Sequence, residues 1–151
     1  MTVTRDDKAA RARTSPTVFT GSCLCGAVKF ESRADARATV HCYCTDCRKT
    51  SGTGHSTHVA VPIEALAVAG EVTFYERAAD SGNVISRGFC GTCGAPVYSK
   101  NSGLRHLVFV RASVLDDPDA VGPQMNVFTG QAPAWDVMDP KIPAFDRMPE
   151  H

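Results

Sequence analysis

The sequence predicts a mainly β protein of short antiparallel strands, with little helix and a Pro-rich extended C-terminal segment. Three observations carry that reading. Short runs rich in β-branched and aromatic residues recur roughly every ten residues. Gly, Pro, Asn or Asp clusters separate most of them. No window of a dozen residues or so shows a convincing apolar period of about 3.6.

The elements follow in order. Thr2–Ser15 carries four basic and two acidic residues and almost nothing to bury, so residues 1–16 are expected to be a disordered tail. Residues 17–151 are expected to form a single domain. Strands are predicted at Val18–Gly21, Ala27–Ser32, Ala38–Cys42, His55–Val61, Leu66–Ala69, Val72–Glu76, Val84–Phe89 and Arg105–Ala112. The best helical candidate is one turn after Leu115, with Asp117 as N-cap and Pro118 as first helical residue. Thr50, Ser51 and Gly52 suit a turn whose hydroxyls cap backbone groups. Beyond Gly122, Pro123, Pro133, Pro140, Pro143 and Pro149 break the chain. Phe128, Trp135 and Phe145 lie between these prolines, as if to lay apolar side chains over the sheet. Trp135 reads as a packing anchor, or alternatively as the wall of a ligand pocket.

Composition narrows the function. The chain of 151 residues is neutral, with 16 Lys+Arg against 16 Asp+Glu. A nucleic-acid binder would show a basic excess, so no such partner is expected. The apolar runs are too short to span a membrane, and Met1–Pro16 lacks the apolar core of a secretory signal. A cytoplasmic protein is expected. Seven cysteines are the outlier. An odd number cannot all pair as disulfides, and a reducing compartment would not keep such bridges. Metal binding is the reading that remains.

Spacing divides the cysteines into Cys23/Cys25, Cys42/Cys44/Cys47 and Cys90/Cys93. A C-x-C pair on a strand points both thiols to one face. A C-x-x-C turn brings two sulfurs together, and a Gly after the second Cys permits the backbone geometry. Each pair is half a tetrahedral zinc site. The simplest partition is four plus three. Cys23, Cys25, Cys90 and Cys93 would close one structural site. Cys42, Cys44 and Cys47 would leave a second site with an open position for water or substrate. Three alternatives stay open at this point. Cys44/Cys47 with Cys90/Cys93 could form a zinc ribbon. His41 could complete the middle site, although it reads more simply as a hydrogen-bonding neighbour. Cys44/Cys47 could be a redox pair. All-thiolate ligands select zinc or iron–sulfur over magnesium or calcium, and the lack of a cluster-type cysteine run favours zinc.

Three motif pieces in this order resemble the glutathione-dependent formaldehyde-activating enzyme family. They are Gly21-Ser-Cys23-Leu-Cys25-Gly26-Ala-Val28, His41-Cys42-Tyr-Cys44-Thr-Asp-Cys47-Arg48-Lys49-Thr-Ser51-Gly52, and Arg87-Gly-Phe89-Cys90-Gly-Thr-Cys93-Gly94. The resemblance spans about Gly21 to Phe145. It implies a zinc-organised β-tent fold and two zinc ions, one structural and one catalytic. It also implies that Cys42, Cys44 and Cys47 hold the catalytic ion. The activity implied is a carbon–sulfur lyase or synthase joining glutathione and formaldehyde as S-(hydroxymethyl)glutathione. Arg48 and Lys49 would then meet the carboxylates of glutathione or offset the site's negative charge; a solvated basic pair is the plainer alternative. Family members often carry a His where this chain has Asn126. Two rival functions are a non-catalytic glutathione or zinc carrier and a protein-interaction module of the same fold.

Overall fold

The computed structural model describes residues 16–149, so the predicted tail lies, apart from Pro16, outside the described residues. Ten strands are found among the described residues. They are β1 (Phe19–Ser22), β2 (Lys29–Ser32), β3 (Ala38–Cys42), β4 (Ser56–Pro62), β5 (Leu66–Ala69), β6 (Val72–Ala78), β7 (Val84–Cys90), β8 (Pro96–Asn101), β9 (Leu107–Arg111) and β10 (Met125–Val127). One short helix, α1 (Thr45–Lys49), follows β3. The mainly β class read from the sequence is what the structure shows.

The strands form two sheets. A three-stranded sheet has the order β1-β2-β5, and a seven-stranded sheet has the order β10-β3-β4-β9-β8-β7-β6. All pairings are antiparallel except β10 with β3, which run parallel with Asn126 opposite His41 and Val127 opposite Cys42. The sequence pattern did not announce that exception, because a three-residue strand carries no alternation to read.

The core lies where the sheets meet. Phe19, Val28 and Phe30 pack with Val59 and Val61 of β4, Val97 of β8, and Val108 and Val110 of β9. Burying each such side chain contributes about 1.5–3 kcal/mol. Alternation along β4 assigns its two faces. Val59 and Val61 face the core, so Ser56 and His58 face the other side. On that second face Ser56 pairs with Cys42, and His58 pairs with both Val40 and Arg111. A second apolar cluster grows there from Cys42, Cys47 and Val127, with Val40, Met125, Phe128 and Phe145 packed around it.

The eight predicted strands are present with ends shifted by at most a few residues. The turn after Leu115 is a 3-10 turn at Pro118–Ala120, and Asp117 accepts from the Asp119 amide at 3.0 Å. Strands β8 and β10 and helix α1 are additions. β8 opens on Pro96 and closes on Ser-Lys-Asn, so its buried Val97 and Ser99 give too short an apolar pattern. Trp135 is corrected: it is 67% exposed and packs no core. Phe145 does cover the sheet. The C-terminal segment runs beside β10, with the Asn126 amide donating to the Pro143 carbonyl and the Phe145 amide to the Asn126 carbonyl, both at 2.9 Å.

Candidate metal centre

The seven cysteines gather into two groups, Cys23/Cys25/Cys90/Cys93 and Cys42/Cys44/Cys47, each with its sulfurs within 4.8 Å of one another. This arrangement sets Cys44 and Cys47 apart from Cys90 and Cys93, so the zinc-ribbon alternative is overturned.

In the four-cysteine group, Cys23 and Cys25 sit in the turn leaving β1, Cys90 ends β7, and Cys93 lies in the turn that follows. The Cys23/Cys25 pair is therefore on a turn rather than on a strand face. Gly26 and Gly94, each directly after a cysteine of the group, have φ of 81° and 79°. Only a residue without Cβ enters that region at no steric cost, so each glycine lets the chain double back around the sulfurs. Cys23 Sγ is 3.7 Å from Cys25 Sγ, and Cys25 Sγ is 3.8 Å from Cys90 Sγ. A tetrahedron with zinc–sulfur bonds of about 2.3 Å has edges of about 3.8 Å. The amides of Val28 and Thr92 donate to Cys23 Sγ and Cys90 Sγ at 3.2 and 3.4 Å. The Ala95 amide pulls the Cys93 thiol down to about 6. A set of four soft sulfurs already ringed by N–H donors fits a thiophilic divalent ion.

The three-cysteine group is built by one bend of the chain. Cys42 ends β3, Cys44 is the N-cap of α1, and Cys47 lies in the first turn of that helix. Cys44 Sγ accepts the Cys47 amide at 3.3 Å, the geometry an N-cap side chain requires. Hydrogen bonds from the Cys42 and Cys47 thiols hold Cys44 down at about 2. The bond to Cys44 pushes Cys42 up to about 12, and the bonds with Cys42 and then Cys44 raise Cys47. A divalent cation is the group that would let all three thiols ionise together. The helix is finished by the turn expected from the sequence. Thr50 Oγ1 donates to the Asp46 carbonyl at 2.9 Å, and Ser51 Oγ donates to the Arg48 carbonyl at 2.9 Å.

The surroundings of this trio were not legible in the cysteine spacing. Arg111, 4% exposed, sends one guanidinium nitrogen to Ser56 Oγ and another to Thr50 Oγ1 at 2.9 Å. It thereby ties β9 to β4 and to the end of α1. Burial works against its charge, while the thiolates of Cys47, Cys42 and Cys44 favour it. Arg77 and Arg87 reach Asp46 of α1 at 3.6 and 3.9 Å. His58 Nε2 lies 3.4 Å from Cys47 Sγ. The signal for both His58 and Arg111 was strand parity: each falls on the Cys42 face of its strand.

Among the residues singled out beside the cysteines, Lys49 is exposed, and Arg48 has its Nε buried with no hydrogen-bond partner. His41 is not part of the trio. Its Nδ1 is 2.7 Å from Thr57 Oγ1, and its ring meets His55 edge-on at 4.6 Å. His55 in turn bonds Asp136 at 2.6 Å and packs on Tyr43. His41, His55, Thr57 and Arg111 line a cleft of about 360 Å³ that none of the seven cysteines enters. Trp135 does not line it either, so its alternative reading as a pocket wall finds no support there. Asn126 is fully buried opposite His41, with both side-chain polar atoms unpartnered.

The chain can now be set beside known proteins. Among curated proteins, none matches it. A crystal structure of a Rhodobacter sphaeroides protein is similar, with a TM-score of 0.54 at 18% identity, covering 83% of this chain and 98% of that one. That likeness supports the fold. The family model described as "Glutathione-dependent formaldehyde-activating enzyme" matches residues 18–131 and takes in all seven cysteines. By that match, which spans both cysteine groups and most of both sheets, the chain belongs to the glutathione-dependent formaldehyde-activating enzyme family.

Proposed function

We propose that this protein is a zinc-dependent carbon–sulfur lyase and synthase acting on a thiol–aldehyde adduct, with glutathione and formaldehyde as the pair the family suggests. The observation that carries the reading is the division of the cysteines. Four sulfurs in one place suit a closed structural site, and three in another suit an open one. We assign two zinc ions per chain accordingly, with Cys42, Cys44 and Cys47 at the catalytic position.

In the forward direction the thiol S–H loses its proton and a sulfur–carbon bond forms. The carbonyl π pair moves to oxygen, which takes up a proton. The difficulty is thiolate supply: a free thiol with a pKa of about 8.5 is only a few per cent ionised at neutral pH. Cys42, Cys44 and Cys47 would hold a zinc ion, whose chemistry would be to keep a substrate thiol deprotonated. The protein's own residues do the rest. Cys42, Cys44 and Cys47 contribute three negative charges, one more than a divalent ion cancels. Arg111 places a buried cation against that excess. Arg48 and Lys49, directly after the last ligand, are assigned to the carboxylates of the thiol substrate. Holding both reactants in one site adds a proximity gain.

The test is magnetisation-exchange NMR on an equilibrium mixture of glutathione, formaldehyde and their adduct. Zinc-loaded protein should accelerate exchange above the buffer rate. Exchange at the buffer rate would sink the enzyme reading and leave a glutathione or zinc carrier.

A further inference from the structure

The residue that the cysteine chemistry leaves unused is His58. It stands on β4, paired in register with Val40 on one side and Arg111 on the other. Its Nε2 is 3.4 Å from Cys47 Sγ, within hydrogen-bond reach of a sulfur. The ring keeps some contact with solvent, but Nδ1 is shut away from water and has no partner. A buried polar atom without a partner is costly and calls for an explanation.

The two neutral tautomers are not equivalent here. With the proton on Nδ1, an N–H would be buried without an acceptor, and the Nε2 lone pair would face the electron-rich Cys47 sulfur. With the proton on Nε2, that N–H points its charge at the sulfur, and only an acceptor is left idle at Nδ1. Orphaned acceptors are tolerated more readily than orphaned donors. Of the two tautomers, Nε2–H is the one this geometry selects.

We propose that His58 is a positioning residue for the trio, donating Nε2–H to Cys47 Sγ and so fixing the orientation of that sulfur toward the other two. The inference rests on the proposed use of the trio as a zinc site and adds to it an inequality among the three sulfurs. Cys44 is served by the backbone amide of Cys47, and Cys47 by a side chain from a different strand. Cys47 is thereby held both by its helix and by the sheet. Ligands oriented by such outer partners keep their geometry while the fourth position exchanges.

The experiment compares His58→Met and His58→Gln. Met fills the space without a donor; Gln carries an amide N–H of similar reach. Zinc affinity at the trio is measured by competition with a chromophoric chelator, with occupancy of the four-cysteine site as the control for folding. His58→Met should weaken zinc binding at the trio by about 10–100-fold. It should also speed iodoacetamide alkylation of Cys47 in the zinc-loaded protein. His58→Gln should stay near wild type in both. A folded His58→Met protein that binds zinc at the trio as tightly as wild type overturns the proposal. If His58→Met does not fold, His58→Gln decides: a loss of trio affinity in a folded Gln variant overturns it as well. Wild-type protein that binds zinc at the trio but leaves adduct exchange at the buffer rate refutes the enzyme reading alone and leaves the role of His58 standing.

Discussion

Replacing Arg111 with Met tests the charge balance of the trio. Arg111 is 4% exposed and donates to two hydroxyls, Ser56 Oγ and Thr50 Oγ1. A hydrogen bond from a charged donor contributes about 1.5–3 kcal/mol net. The low end applies to Thr50, because its hydroxyl proton is already given to the Asp46 carbonyl and is not orphaned. Two bonds at that end amount to about 3 kcal/mol, before any effect of leaving the thiolates without their cation. For a chain of this size each kcal/mol moves Tm by about 2–4 °C, so Arg111→Met should melt roughly 6–12 °C early. The assay is a thermal melt of the zinc-loaded protein monitored in the far ultraviolet, with metal content measured on the same sample. Arg111→Lys should fall between, because an ammonium keeps the charge but not the planar fork that meets both hydroxyls. A Met variant melting within about 2 °C of wild type, with both metals retained, would refute the reasoning.

Three further outcomes are expected. Cys25→Ser should unfold or severely destabilise the protein, since structural zinc sites couple about 10–16 kcal/mol of binding to folding. Cys44→Ser should lose one of two metals by elemental analysis and keep its circular dichroism; equal loss of fold in both variants would argue against separate roles. Gly21→Ala should lower the denaturant midpoint, because a Cβ there meets the Phe30 ring and the Val114 carbonyl. Overpacking of that kind costs about 1–3 kcal/mol, and an unshifted midpoint would show that the two neighbours yield freely.

Much of the fold was legible because its strands are short and punctuated. Val84–Cys90 and Ala38–Cys42 announce themselves through β-branched residues between turn formers. The partition of the cysteines was legible for a different reason: close spacing limits which sulfurs can share an ion. What could not be read were the partners brought in from afar. Arg111 closes an apolar strand and looks like a boundary residue until β9 is laid beside β4. His58 belongs to the site only through the parity of a strand whose register depends on the whole sheet. Helix α1 escaped because it is five residues long and is capped by Cys44, a residue type not among the preferred caps. Trp135 misled because a lone Trp among prolines resembles an anchor, whereas the chain holds that segment through backbone bonds to β10 and the His55–Asp136 pair.

The four-cysteine group has a thermodynamic consequence of its own. Cys25 and Cys90 touch across 65 positions of sequence, one leaving the small sheet and the other the large one. An ion held there is a cross-link closing a long loop, and closing a loop of that length removes about 4 kcal/mol of chain entropy from the unfolded state. Unlike a disulfide, this cross-link is in equilibrium with its surroundings. Each tenfold fall in free zinc withdraws about 1.4 kcal/mol from the folded state while the ion binds only that state. On the proposed assignment the closed site would maintain the open one, and the folded population would follow the metal supply before any substrate arrives.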